Sequence, residues 1–190
     1  MNFLLFALAS LVTGFVSPSI EQISRSSVQS LGSHLNRSDA ACPGRCESGW
    51  TYFDKTDACY KTFFWKPFYE AESICRNVGA HLTSIHNADE NHFVADLAMS
   101  GLKIDDSNKG TWIGLRRADY LNSEKWLWTD GTEVGFLAWA PTEPNNMNRN
   151  ERCVESYTDI TGDALTYHKW NDLPCDSIMR SFVCKKLALQ

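Results

Sequence analysis

Apolar residues recur along this chain with two different periods. Across residues 66–78, Phe68, Ala71, Ile74, Cys75 and Val78 fall at three- and four-residue steps, the single stripe of an amphipathic helix. Pro67 suits the first turn of that helix and Gly79 its end. A second helix is expected over residues 88–100. Asn87 can cap it, Glu90 completes a capping-box pattern, and Gly101 can stop it. Phe93, Val94, Leu97 and Ala98 would form its buried face. Residues 111–115 form a continuous apolar run, the pattern of a central strand. Residues 125–128, 153–157, 167–171 and 181–185 are further strand candidates. Between Trp139 and Glu151 runs a polar loop with Pro141, Pro144 and several asparagines. A loop of that length inside a compact domain usually carries function.

The ends of the chain read differently. Residues 1–17 are apolar without one charged side chain, too short for a comfortable membrane span and placed as a cleaved secretory signal would be, with an uncleaved anchor as the alternative. Residues 18–41 are rich in Ser, Gln and Asn and bury too little to offset their chain entropy, which predicts a polar stalk. Asn36-Arg37-Ser38 in that stalk is an N-glycosylation sequon. One domain is expected over residues 42–187, followed by a short tail, 188–190.

Composition narrows the classes. The net charge of -5 argues against nucleic acid, whose phosphates need a basic face. Apart from the leader, no segment approaches the ~20 apolar residues of a membrane span, so no stable membrane insertion is expected. Seven cysteines behind a leader point to an oxidising compartment and a disulfide framework with one thiol left over. Cys42 and Cys46 lack the second pair that a zinc ribbon or finger would need.

The candidate chemistry lies in oxygen ligands. Glu143-Pro144-Asn145 is followed by Glu151, and later by Trp170-Asn171-Asp172. Together these give three carboxylates and two side-chain amides, the hard donors that calcium takes six to eight at a time. Asn, Asp, Glu and Pro are also ordinary residues of solvated turns, so composition alone leaves both readings open. Cys153 and Cys175 stand just past the two ligand groups.

With those motifs in view, residues 46–185 resemble the C-type lectin domain in its long form. Trp112-Ile113-Gly114-Leu115 matches the family's core strand. Glu70-Ala71-Glu72 before Cys75, with Gly79-Ala80-His81-Leu82, matches its first helix and following strand. Glu143-Pro144-Asn145, Glu151, Cys153 and Trp170-Asn171-Asp172 match its sugar-site motifs in order and spacing.

The resemblance implies an α+β fold: two helices flanking antiparallel sheets, with a long calcium-binding loop. It implies the disulfides Cys46–Cys59, Cys75–Cys184 and Cys153–Cys175. Cys42 is then the odd thiol, a candidate for an interchain bridge and a disulfide-linked homodimer, or a competitor of Cys46 for Cys59. Calcium and sugar would share Glu143, Asn145, Glu151, Asn171 and Asp172. Pro144, after a cis bond, would turn Glu143 and Asn145 toward one ion, and Trp170 would pack beneath. Two sugar hydroxyls would complete the calcium shell, each donating to a carboxylate and accepting from an amide. Glu-Pro-Asn is the order of members that bind mannose, fucose and N-acetylglucosamine, whereas Gln-Pro-Asp members favour galactose. Glycans of mannose type on cell or microbial surfaces are therefore the expected partners. A galactose-type lectin, or a module for protein, ice or mineral, are the alternatives. Arg116 and Arg117 after the core strand, and Asn146 after Asn145, depart from members with auxiliary calcium sites, so one calcium is expected.

Other residues call for ordinary roles. His81, His86 and His92 are expected to be satisfied or solvated, and most of the seven tryptophans to be core. No nucleophile elbow or zinc-protease helix appears. Calcium would keep Glu143 and Glu151 ionised, which disfavours a glycosidase pair. A binding protein, not an enzyme, is the expectation.

Overall fold

The computed structural model describes residues 45–102, 110–117, 125–159 and 166–190. The described residues all belong to one compact unit, Pro43–Gln190. The leader, the stalk, Asn36 and Cys42 lie outside them.

Among the described residues, eight strands join in one sheet and two α-helices accompany it. The strands are β1 (Thr51–Phe53), β2 (Ala58–Lys66), β3 (His81–Leu82), β4 (Thr111–Arg117), β5 (Trp126–Trp128), β6 (Cys153–Ser156), β7 (Trp170–Leu173) and β8 (Met179–Leu187). The order is β1-β2-β8-β4-β6-β7, with β3 on β8 and β5 on β4. Every pairing is antiparallel except β4 with β8, where Thr111 faces Ser181 and Trp112 faces Phe182. Disulfides join Cys46–Cys59, Cys75–Cys184 and Cys153–Cys175, as the resemblance implied.

β4 explains its own apolar run. Successive strand residues point to opposite faces, and both faces of β4 are covered. Trp112 packs with Phe68, Leu82, Met179 and Phe182, while Ile113 and Leu115 pack with Val94, Trp128, Val154 and Trp170. Gly114 lies so close to the β3 backbone that a Cβ there would overlap the Leu82 carbonyl.

The helices are shorter than their periodicity suggests. Helix α1 is Phe68–Asn77, because Pro67 stays extended at φ -69°, ψ 160° as the N-cap. Gly79, at φ 70°, ends it. Phe68, Ala71 and Cys75 are buried, but Val78 is 39% exposed beyond the last turn.

Helix α2 is Ala88–Ala98, and Asn87 caps it by accepting the Glu90 N–H at 2.9 Å. Glu90 does not return the capping-box bond. Its buried carboxylate accepts from the His86 N–H at 2.8 Å, the Tyr60 hydroxyl at 2.7 Å and the Lys185 ammonium at 2.6 Å. Glu90, Asn91 and Ala95 join Val94 and Ala98 on the buried face, and Phe93 and Leu97 are only partly covered. Asn87→Ala should cost about 1 kcal/mol, seen as a fall of roughly 2–4 °C in the thermal midpoint.

Two further expectations change. β7 begins at Trp170, because Tyr167 and His168 lie in a turn where His168 holds φ 62°. Trp65 is 61% exposed at the end of β2, whereas Trp112, Trp128 and Trp170 are core. The histidines have the expected ordinary surroundings. His81 meets Glu72 at 2.7 Å, His86 meets Ser84 and Thr132 at 3.2 Å each, and His92 is exposed on α2.

Candidate functional site

The polar loop is pinned at both ends to β7. At its start, the Ala140 N–H donates to the Trp170 carbonyl at 2.9 Å, and the Trp170 N–H to Ala138 at 2.8 Å. At its finish, Cys153 faces Leu173 across the β6–β7 ladder, and the Cys153–Cys175 disulfide lies beside that pair. Trp170 is fully buried beneath, edge-on to Trp128, Phe136 and Trp139. Its indole N–H donates to Asn91 Oδ1 at 2.8 Å, which anchors α2 under the same floor.

Above that floor three carboxylates converge on consecutive backbone N–H groups. The Asn145 N–H donates to Glu143 Oε2 at 3.0 Å and to Asp172 Oδ1 at 2.9 Å. The Asn146 N–H donates to Asp172 Oδ2 at 3.1 Å, and the Met147 N–H to Glu151 Oε2 at 2.7 Å. The Asn145 amide also donates to Glu143 Oε1 at 2.9 Å. The peptide bond before Pro144 is cis. Asn146, Asn148 and Arg149 take left-handed φ values of 47°, 55° and 57°, a conformation asparagine adopts more readily than most side chains. Glu143, Asn145, Glu151 and Asp172 are thus brought into one network. Asn171 is their neighbour in β7, but its amide turns to Glu155 Oε1 at 3.2 Å.

The electrostatics of this network are those of an anion cluster. Burial pushes the Glu143 carboxyl above its ordinary range, and the charge of Asp172 adds to it; the Asn145 hydrogen bonds pull the other way. Glu151 is raised mainly by burial and further by Asp172 and Glu143, against the Met147 N–H. Among the described residues no ion pair reaches Glu143, Glu151 or Asp172. Nor do three His, Cys, Asp or Glu side chains close into a ready-made cage there. The donors are instead carboxylates and amide carbonyls spread over a loop and a strand, which fits the many-oxygen, adaptable coordination of calcium.

Two residues of this region do not stand out in the sequence. Glu155 is fully buried under Asn171. The Tyr157 phenol is pushed upward by burial and by the charges of Glu155, Glu143 and Glu151. Period-two alternation from Asn171's partner Glu155 is the signal that places Tyr157 on the same face.

The sequence profile of the lectin C-type domain matches residues 65–186. The chain belongs to the C-type lectin domain family. A C-type lectin mannose-binding isoform from Notechis scutatus scutatus is 35% identical over 154 residues, covering 80% of this chain and 87% of that protein. An alpha-N-acetylgalactosamine-specific lectin from Patiria pectinifera is 36% identical over 149 residues, covering 76% and 82%. The C-type carbohydrate-recognition domain of cow CD23, crystallised with a GlcNAc2Man3 oligosaccharide, superposes with a TM-score of 0.62. It is 29% identical, over 77% of this chain and 99% of that one.

This C-type lectin therefore has the fold and disulfide framework that its motifs implied, in a family of binding modules and not enzymes. Its relatives include lectins named for different sugars, so family membership leaves the sugar to the site residues. Among the described residues no helix is long and apolar enough to cross a membrane.

Proposed function

We propose that this protein is a secreted, calcium-dependent lectin of mannose type, with calcium and sugar sharing Glu143, Asn145, Glu151, Asn171 and Asp172. The observation that carries this reading is the convergence of three carboxylates with no ion-paired cation among them in the described residues. Bound there, calcium would supply a Lewis-acidic centre with room for two neighbouring sugar hydroxyls. Glu143 and Glu151 would each accept a hydrogen bond from a sugar hydroxyl, and Asn145 and Asn171 would each donate an amide N–H to a hydroxyl oxygen. With the acid before the amide in Glu143-Pro144-Asn145, the donor and acceptor order is that of the mannose-type members, not the galactose-type ones. A shallow, wet site gives weak affinity for one sugar, and useful binding would come from several sites on one assembly. The leader, the stalk with its sequon at Asn36, and a Cys42 interchain bridge belong to the same reading. A non-reducing gel showing only monomer would remove the bridge.

The test is retention of the mature protein on immobilised mannan and galactan, with calcium and with chelator. Chelator-sensitive retention on mannan supports the reading, and retention on galactan alone overturns the sugar class. Calcium uptake without any sugar binding would indicate a module for another ligand.

A pH dependence follows from the raised carboxyls. In the metal-free fold Glu143 and Glu151 hold their protons more tightly than in the unfolded chain. Their contribution to stability is present at acid pH and is lost as pH rises through the raised range. Calcium binds the deprotonated forms and offsets that loss. At about a hundred times its Kd it should add about 2.7 kcal/mol at neutral pH. The difference in thermal midpoint between calcium and chelator should therefore be largest near neutrality and shrink as pH falls through the raised range of these carboxyls. A difference independent of pH would refute carboxylate ligation.

A further inference from the structure

Glu155 is a charged residue where a strand would ordinarily carry an apolar one. It lies in the middle of β6, fully buried, opposite Trp112 on the β4 side and Asn171 on the β7 side. Burying a carboxylate costs stability unless hydrogen bonds and charges compensate it, so its presence asks for a purpose. Its Oε1 accepts from Asn171 Nδ2 at 3.2 Å, across a directly registered pair. The space it occupies depends on Gly110. A Cβ at that position would overlap Glu155 Oε2 and stand 2.9 Å from its Cδ and 3.1 Å from the Ser156 carbonyl. Gly110 does not have a left-handed φ, so it is the room for the carboxylate, not a backbone turn, that asks for glycine.

We propose that Glu155 is a positioning residue that fixes which way the Asn171 amide faces. The two ends of an amide have nearly the same shape and opposite hydrogen-bonding roles. Next to a carboxylate the choice is one-sided, because turning Oδ1 toward Glu155 would set two buried acceptors against each other. The amide nitrogen is held inward, and Oδ1 is left pointing away from Glu155, available as a ligand. The second N–H of the same amide stays available as a donor. This inference rests on the calcium-lectin reading above and deepens it. Asn171 can serve an ion and a hydroxyl together only if its oxygen and nitrogen are not interchanged, and Glu155 excludes the interchange. Partners behind a metal ligand commonly change metal affinity 10–100-fold when removed.

Calcium titration calorimetry without sugar, paired with thermal melts in chelator, tests the proposal. Glu155→Ala should fold and bind calcium roughly 10–100-fold more weakly. Glu155→Gln, whose amide oxygen can accept the same N–H, should recover most of that affinity. Gly110→Ala keeps the charge but displaces the carboxylate, and should weaken calcium in the same way. It also serves as the second variant if Glu155→Ala fails to fold. Asn171→Ala combined with Glu155→Ala should be no weaker than Asn171→Ala alone, since the two residues act through one amide. A separate structural role for Glu155 would instead make the losses add. Folded Glu155→Ala or Gly110→Ala with unchanged calcium affinity would overturn the positioning role, as would additive losses. Wild-type protein that takes up no calcium would overturn the lectin reading itself, so the two failures are distinct.

Discussion

Asn171→Ala should abolish calcium-dependent retention on mannan while leaving the fold intact. On the proposed reading the substitution removes one oxygen from the ion and one N–H from a sugar hydroxyl. Hydrogen bonds involving charged groups are each worth about 1.5–3 kcal/mol. The contact to the ion falls in that range and the neutral N–H to a hydroxyl adds about 0.5–1.5 kcal/mol, together roughly 2–4.5 kcal/mol, a factor of about thirty or more in affinity. For a site whose single-sugar affinity is weak to begin with, that is complete loss on a column. The fold should survive at reduced stability: β7 is held by its backbone ladder to β6 and by the buried Trp170, while the buried Glu155 carboxylate loses the Asn171 N–H. The measurement is mannan retention beside circular dichroism and a melt in chelator. A folded variant that still binds mannan would remove Asn171 from the site.

The second large effect is on folding. Replacing Cys75 and Cys184 by alanine should leave little native domain at 37 °C. The bridge spans 109 residues, and in the chain-entropy account a loop of that size restricts the unfolded state by about 5 kcal/mol. The bridges at separations of 13 and 22 residues are each worth about 3 kcal/mol on the same scale. A whole domain is commonly stable by only about 5–15 kcal/mol. Both sulfurs are also buried in the cluster with Phe68, Leu82 and Trp112, so their removal leaves a void where α1 meets β8. Urea unfolding of the three double variants should rank Cys75/Cys184 as the most damaging. If loss of the Cys46–Cys59 bridge were equally damaging, the loop-length argument would fail.

Elements governed by local periodicity were legible in the sequence, and elements governed by partners were not. The stripe through Phe68, Ala71 and Cys75 and the Asn87 cap are short-range patterns, and both helices form where those patterns lie. β2 escaped the same reading. Its residues Phe63, Phe64, Trp65 and Lys66 alternate with no clear polar face, and its extended form is decided by β8, which is more than a hundred residues away. Glu90 fits a capping-box pattern but turns inward, because Tyr60 and Lys185, distant in sequence, offer partners.

The candidate site divides along the same line. Glu143, Asn145, Glu151 and Asp172 were legible as motifs with a spacing, and the structure joins them through the N–H groups of residues 145–147. Glu155 carries no motif. Its importance depends on the register that sets it against Asn171 and on Gly110, which leaves it room. Trp65 shows the converse, since an aromatic side chain in a strand pattern need not be core when its strand ends there.

The ladder between β2 and β8 has a practical geometry. Ala58 faces Leu187 at one end and Lys66 faces Met179 at the other, a span of about 27 Å at the usual rise per residue. The first described residue and the C-terminal strand leave together from the Leu187 end, where the Leu189 N–H donates to the Arg45 carbonyl at 2.7 Å. At the far end the Phe68 N–H meets the Cys175 carbonyl at 3.0 Å, three residues after Asp172. A dye, affinity handle or bead attached at Gln190 therefore leaves from the end of the ladder opposite the contact between Phe68 and Cys175.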